Sequence, residues 1–367
     1  MILGVEAVNI RNGGGLKHLK QFLEFNSKVN YFKRIIVYTN SSTKLKLDCI
    51  NGIEFIVKKA FNLPYPFYIF YQIFFLKKHL IKDNCDLIFA PGSIFLLDFP
   101  SVLMPQNMLL FDQIESKRFP FIGRLKLSLI SIAQKLNLNK ANGVIFLSEY
   151  AFQKIKYFSP ISNHIIIPHG IDQNQYIPKE NKGFNEKTPM KLLYVSPLYP
   201  YKHHKFTIKA INELVNEGLN IQYKIVGGGT ISEMNALKSE IKNSNIEYVG
   251  EVSPDDIYEY LNEANVFIFA STCENLPITM LEAMSHGLPI VCSNYGVMPE
   301  VLNNSSNFFF DPTNIISIKQ AISKAYFQID SLNLEAIRNK KLSEKYKWEE
   351  NVSFTNKFIK QIYEDRF

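Results

Sequence analysis

Three side chains in one short stretch set the chemical question. Between Cys273 and Asn294 the chain reads CENLPITMLEAMSHGLPIVCSN, with carboxylates at Glu274 and Glu282 and a proline at 277. Proline suits the first position of a helix, where its missing N–H has no partner and its φ is already helical. The spacing predicts a helix over 277–286, capped by Gly287. Glu274 then falls in the loop entering that helix. Free amides near Leu276 to Thr279, together with the helix dipole, form an anion site suited to phosphate. The carboxylates serve a different purpose: Glu282, about 7 Å along the helix axis, can accept hydrogen bonds from the vicinal diol of a sugar. A ligand bearing both a diphosphate and hydroxyl-rich rings uses all three features, and nucleotide sugars are such ligands. On spacing alone, two glutamates around a helix start are more often dipole partners or solvated charges, so the surrounding chain has to decide.

The elements that position these residues are read most easily in the second half. KLLYVS (191–196), IQYKIVG (221–227), IEYVG (246–250), VFIFA (266–270) and PIVCS (289–293) are strand-like runs. They alternate with stretches carrying apolar residues at three- and four-residue spacing. Strand and helix in alternation imply right-handed crossovers and an α/β fold with a mostly parallel, doubly wound sheet. The first half repeats the theme, with strands near 2–8, 34–38, 53–57, 86–90, 101–105, 143–147 and 164–167 and helices near 15–27, 66–82, 122–139 and 149–157. Residues 178–189, PKENKGFNEKTP, are polar and bounded by prolines, the composition of a linker. The expected organisation is therefore a domain over 1–177, the linker, a second domain over 190–345 and a final helical segment, 346–367, packing back on the first domain.

Bulk composition narrows the classes. A chain of 367 residues exceeds what one hydrophobic core serves, and 46% hydrophobic with 20% charged residues describes a folded protein. The net charge of +7 rests on scattered lysines, which does not favour nucleic acid as a partner and suits an anionic small molecule or membrane surface. Cys49, Cys85, Cys273 and Cys292 have no metal-ligand spacing, so free, mostly buried thiols are expected. The N-terminus reads as a first strand rather than a signal peptide, and the most apolar window, Phe67 to Leu76, is far shorter than a bilayer-spanning helix. A cytoplasmic protein is expected.

With these pieces in order, the chain resembles the retaining glycosyltransferases of family 4. The resemblance rests on Glu274, NLPITML, Glu282 and then AMSHGLPIV, preceded by LLYVSPLYPYKHH, YKIVGGG, YVGEV and ANVFIFAST and followed by SNYGVMPEV. In the first half NGGGLKHL (12–19), VIFLSEYAF (144–152) and IIIPHGID (165–172) match more loosely. The resemblance implies the GT-B fold, two facing Rossmann-like domains with a cleft between them. It assigns catalysis to Glu274, beside the donor sugar, and to Lys202, on the diphosphate. Glu282 would hold the ribose, and Asn275, Leu276 and Pro277 would meet donor oxygens. Gly13, Gly14 and Gly15 would admit the donor to the first domain's backbone, and Gly227, Gly228 and Gly229 would clear space for the nucleotide.

Two positions depart from the family pattern. Pro197 stands where an arginine is common, leaving His203, His204 and Lys205 as other candidates to balance the diphosphate; Gln106 and Asn107 stand where a histidine often contacts the donor sugar. An amide can hydrogen-bond a hydroxyl but cannot act as a base. The implied reaction transfers a sugar with retention of configuration, by front-face attack, from a UDP- or GDP-sugar to a glycan or lipid-linked glycan, as in cell-surface polysaccharide assembly. No further cofactor or metal is implied: there is no DxD motif. His18, His79, His164 and His169 read as structural histidines.

Residues 119–143 mix spaced leucines and isoleucines with Arg124, Lys126, Lys135 and Lys140, a pattern shared by interfacial helices and by helices covering their own sheet; the second reading is favoured. The first would put the protein on the inner face of the plasma membrane. The aromatic stretch 61–76 is open in the same way, between acceptor groove, lipid contact and core. Rival functions are a non-catalytic nucleotide-sugar or glycan-binding module and a nucleotide-sugar epimerase or phosphorylase on the same architecture. A dinucleotide oxidoreductase fits poorly, since NGGGLKH lacks the G-x-G-x-x-G spacing.

Overall fold

The computed structural model describes residues 1–63, 65–92, 98–173, 180–181 and 183–366, with the backbone alone for 65–69. The chain forms two compact units, one of Met1–Ser116, Pro120–Gly170 and Lys347–Phe367, the other of Lys117–Phe119 and Ile171–Tyr346.

The first unit is built on a parallel seven-stranded sheet. In chain order its strands are β1 (Ile2–Glu6), β2 (Arg34–Tyr38), β3 (Glu54–Ile56), β4 (Leu87–Ala90), β5 (Ser101–Leu103), β6 (Gly143–Phe146) and β7 (His164–Ile166). Their spatial order is β3-β2-β1-β4-β5-β6-β7. β1 pairs with β2 (Val5 opposite Val37) and on its other side with β4 (Val5 opposite Phe89). Both faces of such a sheet are covered by crossover helices, which is why LIFA and GVIF are apolar throughout and buried at every position.

The second unit repeats the plan with six parallel strands: β8 (Met190–Val195), β9 (Ile221–Val226), β10 (Ile246–Gly250), β11 (Val266–Phe269), β12 (Ile290–Ser293) and β13 (Phe309–Phe310). Their order is β10-β9-β8-β11-β12-β13. In each unit the winding reverses once, between β1 and β4 and between β8 and β11. At such a switch point the loops leaving two adjacent strands part to opposite faces and open a crevice at the strands' carboxyl ends.

Among the elements not foreseen are a helix over Ser41–Leu47, started by the Asn40 side chain accepting from the Thr43 amide (2.9 Å), the helix Ile315–Phe327 and the two-residue β13. The linker expectation also shifts. The units divide at Gly170–Ile171, ahead of 178–189, and of that segment 178, 179 and 182 lie outside the described residues. Its described part is tied to the second unit: Asn185 and Thr188 bond each other, and the Asn220 amide donates to the carbonyls of Asn185 and Glu186.

The helix Trp348–Glu364 completes the first unit. It lies against the helix Gly13–Val29 and against β6. Asn356 and Asn26 hydrogen-bond each other in the core, and Asn351 donates to the Pro168 carbonyl (2.7 Å). Gly143 is glycine because a Cβ there would stand 2.9 Å from both Phe358 and Ile362. Within this packing His18 and His169 are buried, ring centroids 5.0 Å apart, with Trp348 about equally close to both. Cys49 is exposed and the other three thiols are buried, all four free. No described helix is long and apolar enough to cross a membrane.

Candidate functional site

The switch point between β8 and β11 gathers the chemistry of the second unit. After β8 the chain makes a short 3-10 turn, Pro200–Lys202, and passes through His203 in the left-handed region (φ 51°) into the helix His204–Asn216. The buried Tyr194 hydroxyl donates to the Lys202 carbonyl (2.9 Å) and fixes that turn. After β11 the loop 270–277 runs to the helix Ile278–Ser285. The Thr272 amide donates to the Tyr201 carbonyl (3.0 Å), tying the two loops together.

This brings Lys202 to Glu274, 72 residues on in sequence. The ammonium and carboxylate form a direct ion pair with side chains only 8% and 15% exposed. Expected on separate parts of a ligand, the two are here each other's partner, because adjacent strands deliver both to one point. Ser271, which the sequence reading passed over, donates to the same carboxylate (2.5 Å). Phe269 and Tyr201 wall the ammonium at 5.0 and 5.5 Å from their ring centroids. Burial drives the hydroxyls of Tyr194 and Tyr201 well above their ordinary range, and the Glu274 charge adds to it. No residue type announced the aromatic wall; only the sheet order places it.

The helix that follows differs in one detail from expectation. Pro277 is its N-cap, not its first residue: with ψ at 95° its carbonyl turns into the helix and accepts from the amides of Met280 and Leu281 (both 3.1 Å). No side chain caps this end, so the amides of Ile278 and Thr279 have no intrahelical acceptor. Asn275 and Leu276, both buried, lead directly into it. At the far end Gly287 (φ 70°) donates to Met284 and Leu288 to Ala283, the paired bonds of a Schellman stop. Glu282, 8% exposed, sits inside the helix at its second turn.

The three residues offered as substitutes for an arginine at Pro197 are otherwise engaged. Burial pushes His203 down to about 4 and His204 down to about 3, so both are neutral near pH 7. His203 shares a hydrogen bond with the Thr272 hydroxyl and His204 with that of Ser196, each at 3.0 Å. Lys205 pairs with Glu240 at 2.7 Å. Lys202 is thus the cation that this switch point presents among the residues considered.

Gly227 ends β9 with φ 147°, its Cβ position 1.9 Å from the Ser196 carbonyl oxygen; Gly228 and Gly229 crowd Glu251 and Leu198. Each of these positions is therefore glycine because a side chain there would collide with the protein's own chain. Gly227→Ala is expected to cost on the order of 3 kcal/mol by combining strained backbone with overpacking. A thermal melt within 2 °C of the parent protein would contradict this packing role.

Comparison with known proteins accords with this arrangement. Residues 177–328 match the family described as glycosyl transferases group 1. The matched segment contains β8 to β13 and both loops of the switch point. The chain is 26% identical over 175 residues, 47% of its length, to protein CapJ of Staphylococcus aureus, and spans 44% of CapJ in that match. It is 20% identical over 308 residues, 79% of its length, to the phosphatidylinositol N-acetylglucosaminyltransferase GPI3 subunit of Saccharomyces cerevisiae, covering 68% of it. In fold it resembles HepE of Anabaena, solved with UDP and glucose, with a TM-score of 0.73, 16% identity and coverage of 98% and 100% of the two chains. Two Rossmann-like units of this strand order are the GT-B fold.

Outside the matched segment, the first unit places its own glycines at the equivalent edge. Gly13 (φ 66°) opens the helix after β1, in open space, with Gly14 next. A Cβ on Gly15 would stand 3.0 Å from the Gln106 amide oxygen, so the structure brings Gly15 and Gln106 together. Asn107 is turned to its own backbone, its side chain accepting from the Leu109 amide (3.1 Å). Of the four lone histidines, His79 bonds the Tyr71 hydroxyl and His164 stacks on Phe152. Among the described residues no group of three or more His, Cys, Asp or Glu side chains is arranged to hold a metal ion.

Proposed function

We propose that this chain moves a sugar from a nucleoside diphosphate sugar, with UDP or GDP as the nucleotide, to a hydroxyl of a glycan or lipid-linked glycan, retaining the anomeric configuration, in the assembly of cell-surface polysaccharide. The observation that carries the reading is the buried Lys202–Glu274 pair at the β8/β11 switch point, beside a helix start with no side-chain cap. HepE was solved with UDP and glucose, which supports a nucleotide sugar as donor, and the GPI3 subunit is named as a phosphatidylinositol N-acetylglucosaminyltransferase, which supports a lipid as acceptor.

In this reading the diphosphate lies against the amides of Ile278 and Thr279, with the Lys202 ammonium, which has three donors, reaching it while holding Glu274. Glu282 accepts from the ribose hydroxyls, and Asn275, Leu276 and Pro277 line the approach. The bond from the anomeric carbon to the diphosphate oxygen breaks, the acceptor oxygen bonds to the same face, and its proton passes to the departing diphosphate. Charge grows on the leaving group, so donors fixed before reaction lower the barrier. Lys202 and the helix amides neutralise it without a further cofactor. Glu274, held by Ser271, orients both the ammonium and the donor sugar. The first unit, with Gln106 and Gly13 to Gly15, is assigned to the acceptor and the sugar.

Release of nucleoside diphosphate from UDP- and GDP-sugars tests this. Glu274→Ala is expected to reduce it about a hundredfold, the cost of losing one fixed group in such a site. A saturating donor should raise the melting temperature, since ligand at a hundred times its Kd stabilises by ~2.7 kcal/mol. Donor binding with no release in the parent protein, across an acceptor screen, would reduce the chain to a binding module.

A further inference from the structure

The helix Phe121–Lys140 of the first unit is turned against its own apolar pattern. Leu138 is buried, but so are Gln134 and Asn137, and Ser131 donates inward to the Leu110 carbonyl (2.5 Å). Phe121, Ile122, Leu125, Leu129, Ile132 and Leu136 are exposed, Ile122 by 81% and Leu129 by 61%. This corrects the expectation that the leucines cover the sheet. At 3.6 residues per turn the last four fall in a sector of about 60° at the centre of the outer face. Arg124 and Lys126, also exposed, lie about 100° to either side of its centre, by the same geometry. The helix contains four basic residues and no acidic one, and the sequence from 116 to 148 has no Asp or Glu at all. An apolar band flanked by cations, with polar side chains turned to the protein, is the arrangement of a helix lying in a lipid interface.

We propose that this face docks on an anionic bilayer, the leucine band entering the acyl boundary and Arg124 and Lys126 meeting headgroup phosphates. The charge selects this occupant: a purely apolar protein partner would leave the flanking cations unused, and a second copy would bring the same cations against them. The proposal stands apart from the donor reading, because none of these residues is placed in the donor site.

Sedimentation of the full chain with vesicles tests it, using phosphatidylcholine alone and with about one third phosphatidylglycerol. Binding is expected to the anionic vesicles and to weaken with salt. Leu129→Glu/Ile132→Glu should weaken it at least tenfold, by placing charge in the acyl boundary. Arg124→Gln/Lys126→Gln should weaken it about thirtyfold, at ~1 kcal/mol per basic residue near such a surface. Nucleoside diphosphate release in vesicle-free buffer should be unchanged in both variants. Absence of binding, equal binding by parent and variants, or a dimer in light scattering that Leu129→Glu/Ile132→Glu splits would overturn it.

Discussion

Lys202→Ala is expected to lower nucleoside diphosphate release a hundredfold to a thousandfold, the range for removing one fixed donor to a developing anion. The loss should fall on kcat more than on KM, since the ammonium gains most as the leaving group acquires charge. The same change strands Glu274, whose side chain is 15% exposed and keeps Ser271 as a partner. Removing one member of a buried pair typically costs 3 to 5 kcal/mol, and this partly hydrated pair should show about half of that. Stability and chemistry can be separated: Lys202→Met/Glu274→Gln removes both charges together, so its melting temperature should recover while its turnover does not. Lys202→Ala within threefold of the parent in kcat would remove the lysine from the mechanism.

Mild acid is expected to weaken the first unit between about pH 6.5 and pH 4. Burial pushes His18 down to about 4, with the Asn351 side chain opposing part of that, and pushes His169 well down, His18 adding to the effect. A histidine whose native value is lowered binds fewer protons folded than unfolded, so its contribution is complete above ~6.5 and declines as pH falls toward 4. For His18 alone the loss is about 2 kcal/mol at pH 5 and about 3 kcal/mol below pH 4. His169 lies 5.0 Å away and deepens it. Urea midpoints at pH 7.5 and pH 5 measure this, and His18→Gln should flatten the difference by about 2 kcal/mol. An unchanged pH dependence in that variant would mean that His18 carries a proton in the native unit.

The central strands of the second unit, β8, β11 and β12, were legible because each is a short, largely apolar run buried at nearly every position, so composition alone separates them from the periodic helices. β13 was not, since two residues, Phe309 and Phe310, leave no pattern to read. The helix Ser41–Leu47 hid because its start is a side-chain bond from Asn40 rather than an apolar repeat. Glu274, Pro277 and Glu282 were placed correctly on their loop and helix, within one residue at the helix start. The ion pair of Glu274 with Lys202 was invisible, because it depends on β8 lying beside β11, and pairing order is a property of the sheet. The orientation of the helix Phe121–Lys140 was misread for a related reason: periodicity gives a helix two faces but does not say which one looks inward.

The first unit is assembled from segments at both extremes of the residue numbering, and this bears on how it is made. A ribosome delivers β1 to β7 long before Trp348 to Ile362, and until then Gly143, Asn26 and His18 lack the surface they pack on. The second unit, continuous from Ile171 to Tyr346 apart from Lys117–Phe119, is complete in sequence before Trp348 is added and can close without that helix. Nascent chains should therefore acquire protease resistance in the later-made half first, and a stop codon near 346 should damage the half that was translated earliest.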